Sequence, residues 1–198
     1  MASTMLHRVF PGLFTRRCGH AGFSMPEIMV TVAVAGVLTG VAVPSLSAML
    51  QAQRASSLAS NFVASLHLAR GEAIKRNGRA VVCKSATGDA CTGSGGWEQG
   101  WIVFHDVNNN AALDVGERVV LAHGGVAAGP RLTGNTPVAN YVSYGASGSS
   151  KLISGAFQAG TFTLCPAPGS NASGLLRQII LSPTGRPRIF EGASAACR

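Results

Sequence analysis

Residues 28–53 are 26 consecutive positions without a formal charge. Taken as helix at about 1.5 Å per residue, such a run is long enough to cross a bilayer core of roughly 30 Å. The sequence therefore predicts a membrane-spanning helix. The first 22 residues carry Arg8, Arg16 and Arg17 with His7 and His20 and contain no acid. Positive charge on that side keeps it cytoplasmic and sends the chain after about residue 50 across the membrane. A secretory signal is the alternative, with Ser45-Leu46-Ser47 as its cleavage site. Its apolar stretch, however, is usually only about 7–15 residues.

The remaining chain is long enough for one further domain of ordinary size. Hydrophobic residues make up 46% and charged residues 12% of the 198 positions, which excludes a disordered polyelectrolyte. The net charge is +8 and the pI is near 10.0. That balance favours anionic partners such as nucleic acid, phospholipid or an acidic surface without choosing among them.

A secretory signal leaves Glu27 unexplained. This acid opens the apolar run and follows Gly22-Phe23-Ser24-Met25-Pro26. An interfacial acid that snorkels to water is the plain reading of it. A short basic leader ending in Gly, then Phe, then Glu as the fifth residue after the Gly, then an apolar helix, resembles the type IV pilin family. The resemblance implies that a prepilin peptidase cuts between Gly22 and Phe23 and methylates the new amino group of Phe23. It also implies that Glu27 neutralises the N-terminal amine of a neighbouring subunit inside a filament, an ion pair that sets axial register. Pro44 falls where pilins often carry a helix-bending proline. The expected parts are a cleaved leader at 1–22, a membrane and filament-core helix at 23–50, and an extracytoplasmic globular domain at 51–198.

Ala55, Leu58, Phe62, Leu66, Ala69 and Ala73 recur at spacings of three and four, the period of one helix face. Asn77-Gly78 supplies a stop, so one helix is expected over residues 26–76. Beyond it come β-prone runs at 80–84, 101–105, 118–122, 141–144, 161–165, 178–181 and 186–190, separated by Gly, Asn, Ser and Pro clusters. The pattern predicts an α+β fold, a long N-terminal helix whose exposed half packs on an antiparallel sheet.

Removal of the leader takes Cys18 with it and leaves Cys83, Cys91, Cys165 and Cys197 in a compartment that permits oxidation. Four cysteines allow three pairings. We expect Cys83 with Cys91, closing a local loop, and Cys165 with Cys197, pinning the C-terminal tail to a strand. No zinc site is expected, because no CxxC spacing occurs and His67, His105 and His123 do not cluster with cysteine. Asp106, Asn108, Asn110, Asp114 and Glu117 stand at calcium-loop positions 1, 3, 5, 9 and 12, but Ala111 replaces the glycine an EF-hand needs and strand-like runs flank the loop. An Asx-rich connection between strands is the simpler reading.

Two stretches narrow the resemblance. Gly100-Trp101-Ile102-Val103-Phe104, followed by Asp106-Val107-Asn108-Asn109-Asn110 and Asp114-Val115-Gly116-Glu117, is similar to the strand, acidic loop and strand of the GspH/FimT family of minor pilins and pseudopilins. So is the stretch from Gln178-Ile179-Ile180-Leu181 through Ser182-Pro183-Thr184-Gly185 to Arg186-Pro187-Arg188. In the latter, Gly-Arg-x-Arg resembles the DNA-binding motif of FimT-type minor pilins that support natural transformation. The resemblance thus implies that Arg186 and Arg188 contact DNA. Residues 119–198 hold six cations against Glu191 alone, which suits phosphate contacts that are weak, sequence-tolerant and salt-dependent. No aromatic stacking platform is evident from the sequence.

The expected function is a minor pilin of a type IV pilus, anchored in a bacterial inner membrane and assembled with other pilins, that supports pilus assembly and binds extracellular DNA. The alternative is a minor pseudopilin of a type II secretion system. Enzymatic activity is not expected, since no nucleophile elbow or phosphate loop is present, and no cofactor is implied.

Overall fold

A computed structural model describes residues 22–126, 129–167, 177–191 and 197, with the side chains of 41–45 and 48 outside that description. Residues 1–21, which include Cys18 and most of the expected leader, lie outside the described residues, and so does Arg198.

One helix, α1 (Met25–Arg76), runs for 52 residues and belongs to two compact units that divide at Ala42. In the first unit, Ser24 caps the helix. Its carbonyl accepts from the Glu27 and Ile28 amides at 3.0 and 3.2 Å, and its own N–H donates to Glu27 Oε2 at 3.4 Å. Ser-x-x-Glu is thus half of a capping box, and Pro26 sits in the first turn, where a missing N–H costs nothing. Thr31 and Thr39 return their hydroxyls to the Ile28 and Ala35 carbonyls, so these side-chain donors are satisfied within the apolar run. The side chains of Phe23, Met25, Met29, Val30, Val32 and Val37 are exposed. Among the described residues no helix is long and apolar enough to cross a membrane.

In the second unit the helix buries Ala55, Leu58, Ala59, Phe62, Leu66, Ala69 and Ala73, the stripe expected from their spacing. The helix ends on Asn77, in a left-handed conformation at φ +49°. The Gly78 amide reaches the Ala73 carbonyl at 3.1 Å and the Asn77 amide reaches Ile74 at 3.2 Å, which is a Schellman stop.

The strands are β1 (Arg79–Lys84), β2 (Gly100–Asp106), β3 (Val119–Gly124), β4 (Arg131–Gly134), β5 (Tyr141–Tyr144), β6 (Gly160–Cys165), β7 (Arg177–Leu181) and β8 (Pro187–Glu191). All pairings among them are antiparallel. The fold is α+β, but the strands form two four-stranded sheets, ordered β3-β2-β1-β5 and β4-β6-β7-β8, where the sequence suggested one. The helix stripe is wide enough to serve both. Phe62 shows how, with its ring edge-on to Trp97, Trp101 and Phe162 at 5.0, 5.1 and 4.7 Å between centroids. Trp101 belongs to β2 in the first sheet and Phe162 to β6 in the second. Ala80, Val82, Val103 and Val142 from one sheet join Leu132, Leu164, Ile179 and Leu181 from the other in this core. The far face of the first sheet has its own small core of Val81, Cys83, Ile102 and Phe104, with Ala111 from the following loop.

Two disulfides fix the periphery. Cys83 is joined to Cys91 and Cys165 to Cys197, each pair with Cα atoms 5.6 Å apart. Inside the shorter loop, buried Lys84 donates to the Gly93 and Gly95 carbonyls at 3.1 and 2.9 Å, and burial pulls its ammonium below the usual lysine range against the opposing charge of Glu98.

Candidate functional site

The β7–β8 hairpin is built by its turn. The Gly185 amide donates to the Ser182 carbonyl at 2.9 Å, and Gly185 adopts φ +77°, a conformation that favours glycine. A Cβ there would lie 2.3 Å from the Gly148 carbonyl oxygen, so space as well as backbone demands glycine. The turn therefore seats directly on the 145–149 loop. That loop is held in turn by α1, whose Arg70 donates Nε–H to the Gly148 carbonyl at 2.9 Å. Ser150 completes the tie by donating toward the Gln158 and Ser182 carbonyls at 2.6 and 3.1 Å.

Arg186 and Arg188 emerge from this hairpin, both exposed. Arg188 lies in β8 opposite Ile180. Arg186 immediately precedes that strand, its carbonyl accepting from the Ser182 amide at 3.2 Å, and Pro187 between the two arginines is buried. Among the described residues neither is in an ion pair, whereas Arg177 on β7 stands 3.8 Å from Glu191 on β8. The only acid of the hairpin is thus engaged elsewhere.

Arg186 borders an open cleft that also takes in Arg70, Ser147, Ser149, Phe157 and Thr184. Sequence reasoning missed Arg70 and Phe157. Arg70 is one of several polar residues on a long helix, and Phe157 stands alone in a Gly/Ala stretch without strand periodicity. Phe157 is set there by a single bridge pairing with Lys151.

The carboxylates of the Asp106 loop are turned to the loop's own amides. Asp106 accepts from the Asn110 and Ala111 amides at 3.1 and 3.0 Å, and Glu117 accepts from the Val107 and Asp114 amides at 2.7 and 3.1 Å. Asn108 and Asn110 both donate side-chain amides to Asp114 at 2.7 Å, which hold its carboxyl below the ordinary aspartate range. Asn109 and Ala111 take positive φ. The carboxylates organise the connection between β2 and β3, as an Asx-rich loop does. Among the described residues no group of three or more His, Cys, Asp or Glu could hold a metal ion.

At the other end of the chain, Gly22 and Phe23 precede the helix and are exposed. Glu27 is in the first helical turn, four residues beyond Phe23, with its carboxylate directed back toward the backbone of Ser24.

Two solved structures are similar to the chain, both of the type IV minor pilin FimU of Pseudomonas aeruginosa in different crystal forms. One is 18% identical over 68% of this chain and 91% of its own, with a TM-score of 0.48. The other is 20% identical over 71% and 89%, with a TM-score of 0.47. No curated protein matches the sequence. Residues 58–185, from the buried half of α1 through the β7–β8 turn, match the family model described as type II transport protein GspH. With its long helix, two antiparallel sheets and this match over more than half its length, the chain belongs to the GspH family of pilin-like proteins.

Proposed function

We propose that this protein is a minor pilin of a type IV pilus that supports pilus assembly and binds extracellular DNA for natural transformation. A prepilin peptidase cuts after Gly22 and methylates Phe23. The apolar helix anchors the subunit in the bacterial inner membrane, with the globular domain periplasmic, and then enters the filament core. There Glu27, at the helix N-terminus, neutralises the N-terminal amine of a neighbouring subunit.

The observation that carries the DNA reading is the pair Arg186 and Arg188, both exposed on the hairpin, while the acid of that hairpin, Glu191, stands against Arg177. Two guanidinium forks free to meet backbone phosphates favour a polyanion over a protein surface of mixed charge. The decisive test replaces both with glutamine in the native chromosome. Pili should still assemble while transformation falls sharply. Unchanged transformation would remove DNA capture from the function.

A second reading has its own support in the family description, which is that of a type II transport protein. In that reading the same helix and domain form a minor pseudopilin of a secretion system. Deletion of the gene would then stop export of folded proteins and leave transformation intact.

A further inference from the structure

The cleft beside Arg186 combines three chemistries that a nucleotide unit needs. Phe157 is 68% exposed, as Phe190 on β8 is at 60%, whereas Phe62, Phe104 and Phe162 are fully buried. Arg70 spends its Nε–H on Gly148 and is in no ion pair among the described residues, and Arg186 is likewise unpaired. The hydroxyls of Ser147 and Ser149 are 2.8 Å apart, and that of Thr184 is 2.8 Å from Ser182, each pair keeping capacity for another partner. Among the described residues no acid borders the cleft. An aromatic face, two cations and neutral hydroxyls without a carboxylate are complementary to a base flanked by phosphates.

We propose that this cleft binds an unpaired nucleotide of single-stranded DNA, its base stacked on Phe157 and its flanking phosphates held by Arg70 and Arg186. The proposal rests on the reading of Arg186 as a DNA contact. It adds the form of DNA. In a duplex both faces of an internal base are covered by its neighbours, so a side chain on the protein surface reaches a base face only where the strand is open. Stacking of this kind tolerates any sequence, because each base has a π-face. The arginines alone would bind single strand and duplex through phosphate, and Phe157 supplies the discrimination.

The test uses the full chain in uncharged detergent micelles, titrated by fluorescence anisotropy with a labelled oligothymidylate and with a duplex of equal length. Phe157→Ala should weaken single-strand binding about tenfold, the loss of one base stack, and leave duplex binding nearly unchanged. Because the ring is exposed, its removal leaves the core intact. Phe157→Trp should keep single-strand binding, and the emission of the added indole should be quenched by oligothymidylate and not by duplex. Arg186→Gln with Arg188→Gln should weaken both forms. Equal loss on both DNA forms in Phe157→Ala, or no loss on either, overturns the stacking role while the arginine reading stands. Failure of the wild-type chain to bind either form overturns both.

Discussion

The indole N–H of Trp101 donates to the Ser65 hydroxyl at 2.9 Å, with both side chains buried. This bond ties β2 to α1 at the centre of the domain, beside the Phe62 cluster, and Ser65 passes its own proton to the Asn61 carbonyl at 2.9 Å. Ser65→Ala leaves the indole donor buried without a partner, at a cost of about 1–3 kcal/mol. Ser60→Ala, on the exposed side of the helix, should change stability by less than about 0.5 kcal/mol. Urea unfolding followed by tryptophan emission measures both.

Tyr144 is the converse case. Its ring is fully buried under the Gly185 turn, yet its hydroxyl has no hydrogen-bond partner among the described residues. Tyr144→Phe should therefore be neutral or raise stability by up to about 1 kcal/mol. Burial also pushes the phenol pKa up, with the charge of Arg70 pulling the other way. The folded state then holds this proton where the unfolded chain releases it, so the contribution is complete below the unfolded pKa near 10 and is lost as pH rises beyond it. Thermal unfolding between neutral pH and pH about 11 should show a shallower alkaline decline in Tyr144→Phe than in the wild type.

The two disulfides should contribute unequally. Cys165–Cys197 spans 32 positions and Cys83–Cys91 spans 8. By loop-closure entropy the longer crosslink stabilises by about 4 kcal/mol and the shorter by about 2.5 kcal/mol. Serine replacements at one pair and then the other, compared by denaturant midpoint under oxidising conditions, check the order.

At the N-terminus the two proposed roles separate. A bulky replacement of Gly22 should leave a full-length precursor on an immunoblot. Glu27→Gln should still be processed but enter filaments poorly. Normal incorporation of that variant would count against an ion pair through this carboxylate.

Much of the architecture is written in short-range pattern. The spacing of Leu58, Phe62, Leu66, Ala69 and Ala73 marks the helix face, and Asn77-Gly78 marks its end. The predicted β-prone runs correspond to every strand except β4. That strand, Arg-Leu-Thr-Gly, is four residues with one buried side chain, Leu132, too short for alternation to show. The division into two sheets was hidden because it depends on how wide a helix stripe is shared, a property of packing in space. The cleft was hidden for a similar reason, since Arg70 and the Gly148 carbonyl it holds are 78 positions apart. Arg186 and Arg188 were legible as a motif. That the Gly185 turn leading into Arg186 seats against Gly148 is announced by no local pattern.

The central claim is that this hairpin carries DNA on its arginines. It is tested most directly by titrating the wild-type chain and the Arg186→Gln, Arg188→Gln double variant with duplex DNA across a salt series. Binding by the wild type should weaken linearly in log–log form as salt rises, and the double variant should bind more weakly with a slope reduced by about two, one for each phosphate that is no longer neutralised. Wild-type binding absent at low salt, or a folded double variant indistinguishable from wild type, would contradict it.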